Sequence, residues 1–160
     1  MTRPDGAPMP EQHEHQIFEV GVKALIFREE CLLLVRRQDH PEWEMPGGRI
    51  NVGEVMEETL LRELDEELPG GWDFTVGGII HAQQANFMLP NGNGLMLLFL
   101  DVESQMPQEV DVSDEHEAAA WFSKDEFDDL DGVSPQVRAA GTRAFENRTR
   151  SIRSWEDLLP

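Results

Sequence analysis

The chain of 160 residues sets 32 acidic against 13 basic side chains, a formal charge of −19, which repels a duplex nucleic-acid backbone and an anionic membrane alike. Hydrophobic residues at 39% and charged residues at 28% fit one globular domain. No apolar run approaches the ~20 residues of a membrane helix, and the lone Cys31 excludes an internal disulfide and suits a reducing cytoplasm.

Residues 1–16 hold three prolines and little apolar content, so a flexible tail is expected there, with His13 and His15 as a bystander H-x-H pair. One domain is expected over residues 17–160. From Ile17, the apolar Phe18, Val20, Val22, Ala24 and Ile26 alternate with Glu19, Gly21 and Lys23, the period of a half-buried strand. A turn at REE (28–30) leads into CLLLV, a second and fully buried strand. A Pro/Gly-punctuated stretch follows, HPEWEMPGGRINVGE.

Residues 54–68 carry Met56, Leu60, Leu64 and Leu68 on one stripe with Leu61 at its edge, which predicts a helix that Pro69 ends. Strands are expected over 74–85 and 95–102, joined by the turn PNGNG, and a short one over 118–122. Ser123 and Glu126 form a capping box, and Ser134-Pro135 opens a C-terminal helix. Eleven of the basic residues are arginine, and five of these fall within 138–153. That segment is expected to pack against the acidic stretch 101–131. Hairpins mixed with strand–helix units give an α/β class with a mixed sheet.

Glu63, Glu66 and Glu67 stand at i, i+3 and i+4 of the 54–68 helix, on one face beside the apolar stripe. Such a cluster repels itself unless a cation is shared, and oxygen-only donors suit Mg²⁺ or Mn²⁺. The alternative is a solvated helix in which Arg62 pairs with Glu58 or Glu66.

The lead-in decides between them. Gly48, five residues, Glu54, seven residues, then Arg62-Glu63-Leu64-Asp65-Glu66-Glu67 resembles the Nudix box, preceded by WEMPGG (43–48). The resemblance extends over about 17–130, with one departure: Pro69 stands where the family usually has glycine, and Gly70 comes one place late. It implies a Nudix-like α/β/α sandwich and a metal-dependent hydrolase that cleaves the diphosphate linkage of a nucleoside diphosphate derivative such as a (d)NTP or ADP-ribose. The alternative is a Nudix-like nucleotide-sensing domain without hydrolysis.

By the same resemblance, Glu63, Glu66 and Glu67 are the metal ligands, assisted by the carbonyl of Gly47. Arg62 orients them, and Glu54 starts the helix and supports the metal shell. The general base is expected at Glu115, with Glu54 and Glu63 as competitors, and His116 beside it is structural. Gly47 and Gly48 let the backbone approach the phosphates. Arg36, Arg37, Arg49 and Arg28 are candidates for phosphate contact, and Trp43, Phe87 or Phe18 for stacking on a base. The implied partner is a small nucleotide rather than duplex nucleic acid or a membrane, in a cytoplasmic setting, and a homodimer is compatible with the sequence.

Overall fold

The computed structural model describes residues 15–152. Most of the predicted tail, His13 and Arg153 lie outside the described residues. Strands β1 (Phe18–Arg28), β2 (Cys31–Arg37), β3 (Trp43–Glu44), β4 (Gly47–Arg49), β5 (Phe74–Gln84), β6 (Gly94–Ser104) and β7 (His116–Phe122) form one mixed sheet. Helices α1 (Met56–Glu67), α2 (Lys124–Asp129) and α3 (Pro135–Ile152) cover it.

β1 is the axis of the sheet. One edge runs parallel to β6 from Phe18↔Gly94 to Ile26↔Val102. The other edge is shared: antiparallel β4 takes Gly21 to Lys23, and β2 takes Phe27 and Arg28. β5 pairs antiparallel with β6, and β7 with β2. The two-residue turn Glu29-Glu30 joins β1 to β2 with Glu29 at φ 56°, and Arg148 donates to the Glu29 carbonyl at 2.6 Å.

Each face of the sheet has its own core. Val22, Ala24 and Ile26 join Leu33, Val35, Leu100 and Val102 against Leu60, Leu64 and Leu68 at α1. Leu25, Leu32, Leu34, Leu97 and Phe99 pack on the opposite side against Phe127, Val137, Ala140, Ala144 and Phe145 of α2 and α3. This corrects the half-buried reading of β1. Its second half is covered on both faces, because Leu25 and Phe27 fill the α3 side while the even-numbered residues fill the α1 side. The continuous run in β2 has the same cause.

The helix ends follow their local chemistry, with one correction. The Ser123 hydroxyl accepts from the Glu126 N–H at 3.3 Å while the Glu126 carboxylate takes the Ser123 N–H at 2.8 Å. Ser134 caps α3 through the Val137 N–H at 3.3 Å, with Pro135 as its first residue. Glu54 does not start α1. The helix begins at Met56 behind Val55, which has an extended backbone and no side-chain oxygen, and Glu58 accepts the Val55 N–H at 3.2 Å.

The C-terminal segment packs against the 101–131 stretch as expected, with Arg138 meeting main-chain carbonyls there. Arg138 donates to the carbonyls of Phe127 and Leu130 and lies 4.9 Å over the Phe127 ring. No helix among the described residues is long and apolar enough to cross a membrane.

Candidate active site

The site begins where β4 passes under the end of α1. Pairing with β1 sets β4 firmly, and the flanking bonds from Ala24 N–H to the Pro46 carbonyl (2.8 Å) and from Ile50 N–H to the Val20 carbonyl (2.9 Å) extend that hold. Gly47 lies at φ 146°, and a side chain there would run into the Val22 carbonyl. Its N–H donates to Glu67 Oε2 at 2.9 Å. Gly48, on the next step of the strand, lies beneath the Glu63 carboxylate so closely that a Cβ would overlap it. The two glycines thus seat two carboxylates of the same helix.

Arg62 ties the cluster together. Its Nε and Nη2 donate to the two oxygens of Glu54 at 3.1 and 3.2 Å, and its Nη1 reaches Glu63 at 3.0 Å and Glu66 at 3.5 Å. The bidentate bond from Arg62 holds the Glu54 carboxyl below its usual range. Glu66 is mainly exposed, whereas Glu67 is buried, with its residue 7% accessible. Burial pushes the Glu67 carboxyl up to about 7, aided by Glu63 and Glu44 and opposed by Lys23 and the Gly47 N–H.

The loop before β7 closes the other side of Glu67. Ser113 N–H donates to the Glu67 carbonyl at 3.1 Å, and His116 Nε2 stands 3.9 Å from Glu67 Oε1. His116 is buried, and burial lowers its pKa. Glu115 is exposed in the turn before β7, its carbonyl accepting the Gln38 N–H at 3.2 Å.

A cavity of about 680 Å³ opens on the α3 side of the sheet. Lys23 and Glu44, 4.0 Å apart, line it, and Lys23 pairs with Gly47, whose N–H holds Glu67, so the cavity reaches toward Glu67 through Lys23, although Glu63, Glu66 and Glu67 do not line it. Trp43 and Phe87 line it as well; Phe18 does not, since it packs on Gly94. Of the predicted phosphate contacts only Arg37 lines it, paired with Asp39 at 3.3 Å. Arg36 pairs with Glu117 at 3.2 Å and lies 4.9 Å over Trp43. Arg49 pairs with Glu19 at 3.0 Å, and Glu19 also accepts from Asn91 and Asn93. Arg28 donates to Gln108. The sequence reading missed Lys23, Glu44, Asn86 and Gln136 in the lining. Lys23 alone carried a signal, as a charge inside a strand of apolar residues.

The donors fit a hard divalent cation in kind. Glu63, Glu66 and Glu67 offer oxygen only, and a cation would relieve the buried Glu67. They do not stand as a closed cradle: among the described residues no three His, Cys, Asp or Glu side chains are grouped to hold a metal. Arg62 occupies oxygens of Glu63 and Glu66, and that grip is what a cation would compete with.

A putative 8-oxo-dGTP diphosphatase of Bacillus subtilis is 40% identical over 52 residues, which span 32% of this chain and 35% of that protein. A MutT-like protein of Streptomyces ambofaciens is 29% identical over 87% of this chain and 91% of its own. The crystal structure of a MutT protein from Methanosarcina mazei Go1 matches with a TM-score of 0.68 at 25% identity, over 87% of this chain and all of that one. The NUDIX domain model matches residues 17–140. The chain belongs to the NUDIX hydrolase family.

Proposed function

We propose that this enzyme hydrolyses the diphosphate linkage of a nucleoside diphosphate derivative, a (d)NTP, ADP-ribose or a related nucleotide, with Mg²⁺ or Mn²⁺ held by Glu63, Glu66, Glu67 and the Gly47 carbonyl. The observation that carries the reading is the junction at Glu67: a buried carboxylate on the Nudix box, toward which a cavity of about 680 Å³ reaches through Lys23. The cavity walls combine aromatic Trp43 and Phe87 with polar Asn86 and Gln136, a lining suited to a base.

When bound, the cation neutralises phosphate charge and acidifies water. The chain's own residues do the rest. Gly47 and Gly48 bring the β4 backbone close to the phosphates. Arg37 at the cavity, with Arg36 and Arg49 beyond it, meets their charge. Arg62 sets the carboxylates. Glu115, exposed beside β7, accepts the proton of the attacking water; Glu54, with both oxygens engaged by Arg62, is the weaker base. The lone Cys31 is consistent with a cytoplasmic setting.

A panel of dNTPs including oxidised dGTP, ADP-ribose, NADH, nucleotide sugars and dinucleoside polyphosphates, with Mg²⁺ and with products identified by mass, tests the reading. Turnover of one nucleotide class by the wild type, lost in Glu67→Gln, is expected. Tight binding without turnover would instead favour a sensing domain.

A further inference from the structure

His116 is a buried side chain for which the proposed chemistry has no use. Its side chain is 2% exposed, and Nε2 has no hydrogen-bond partner. Leaving a buried imidazole nitrogen unpaired is costly, so its surroundings matter. Nε2 faces Glu67 Oε1 at 3.9 Å, beyond a hydrogen bond but at ion-pair range. The other oxygen of that carboxylate takes the Gly47 N–H.

The opposite edge of the ring is also set. Ser113 Oγ lies 3.4 Å from Nδ1. A hydroxyl that donates to Nδ1 leaves the ring proton on Nε2, where it points to Glu67. The main chain closes the circuit, since Ser113 N–H binds the Glu67 carbonyl at 3.1 Å and His116 N–H binds the Ser113 carbonyl at 3.0 Å. Ser113 and His116 are therefore tied through the main chain to the last turn of α1.

We propose that His116 is a positioning residue, whose Nε2–H steadies Glu67 Oε1 while the Gly47 N–H holds Oε2, so that the carboxylate is aimed before any cation arrives. Toward the metal this rests on the reading of Glu67 as a ligand. Toward the apo protein it stands alone. An imidazole that merely fills space has no preferred tautomer tied to Glu67 and no need of a donor.

Two measurements test it. In metal-free protein, ¹⁵N correlation spectra should show His116 protonated at Nε2, and Glu67→Gln should shift that resonance. Protonation at Nδ1, or a resonance that ignores Glu67→Gln, overturns the proposal. Separately, Mn²⁺ affinity without nucleotide is measured for wild type, His116→Phe and His116→Gln. The phenylalanine variant should bind about tenfold more weakly or worse, as loss of an outer-shell donor does. Glutamine, whose amide N–H reaches the place of Nε2, should recover most of that loss at a similar melting temperature. Equal affinity in wild type and His116→Phe, or equal loss in both variants, overturns it. A wild type that binds no Mn²⁺ overturns the metal reading of Glu67 instead, and the tautomer experiment still decides the role of His116.

Discussion

The Glu63 carboxylate rests on Gly48 where any larger residue would place its Cβ. What a methyl group would displace here is the mobile end of a side chain, so Gly48→Ala should leave the fold almost intact. It should displace Glu63 and reduce kcat by about tenfold to a hundredfold, the usual cost of misplacing a reacting group. Melting temperature and kcat measured on the same preparation check this. A variant with full activity would mean that Glu63 does not need its seat.

Gly47→Ala should behave in the opposite way. There the obstacle is the Val22 carbonyl of the central strand, and the backbone stands at φ 146°. Neither can yield without unpairing β4 from β1. A loss of about 2 kcal/mol or more is expected, because strain and a broken backbone bond add. Urea denaturation measures it.

Arg62 holds Glu54, Glu63 and Glu66 through three nitrogens in one plane. A lysine keeps the charge but offers a single point, so Arg62→Lys should recover little of what Arg62→Ala loses. Both should reduce kcat/KM by about 10- to 100-fold, the range seen for outer-shell partners of metal ligands. Full rescue by lysine would show that only the charge matters.

Glu67 makes metal-free stability depend on pH. Its carboxyl, ordinarily 4.5, is raised to about 7 in the fold, so the folded state holds the proton more tightly than the unfolded chain. The stabilisation is fully present below the unfolded pKa and is lost as pH rises through the folded one, a change on the order of 3 kcal/mol. Urea melts of wild type and Glu67→Gln at about pH 5 and about pH 8 should diverge, with the wild type losing more toward the higher pH. Parallel curves would contradict it.

In the α1-side core, Leu64 is fully buried between α1 and the sheet. Leu64→Ala should cost about 2–5 kcal/mol by leaving a cavity. It should also loosen Glu63 and Glu67 on either side of it. Thermal unfolding gives the first effect, and Mn²⁺ affinity the second.

Much of this was legible in sequence because it is local. The Leu60–Leu64–Leu68 stripe, the Ser123–Glu126 box and the spacing from Gly48 to Glu67 each depend on residues close along the chain. The helix start misled because Val55 supplies no capping oxygen, so Glu54 read as the first residue when it stands outside, held by Arg62. Arg49 could be read as a candidate for phosphate contact, but its partners could not: Glu19 holds it alongside Asn91 and Asn93 of the β5–β6 connection, a meeting that the parallel β1–β6 register creates. The cavity walls were hidden for the same reason: Lys23, Glu44, Asn86 and Gln136 are gathered from distant segments.

The three residues of β4 belong to the central sheet rather than to a loop laid over it. The floor of the site therefore opens only when the sheet does, and its amides should exchange with solvent among the slowest in the molecule. Much of the cavity lining comes from connections, Asp39, His40, Glu42, Asn86, Phe87 and Ser134, which tolerate change far better than paired strands. Substitutions at the rim should thus reshape what the cavity admits while β4 and the carboxylates seated on it stay as they are.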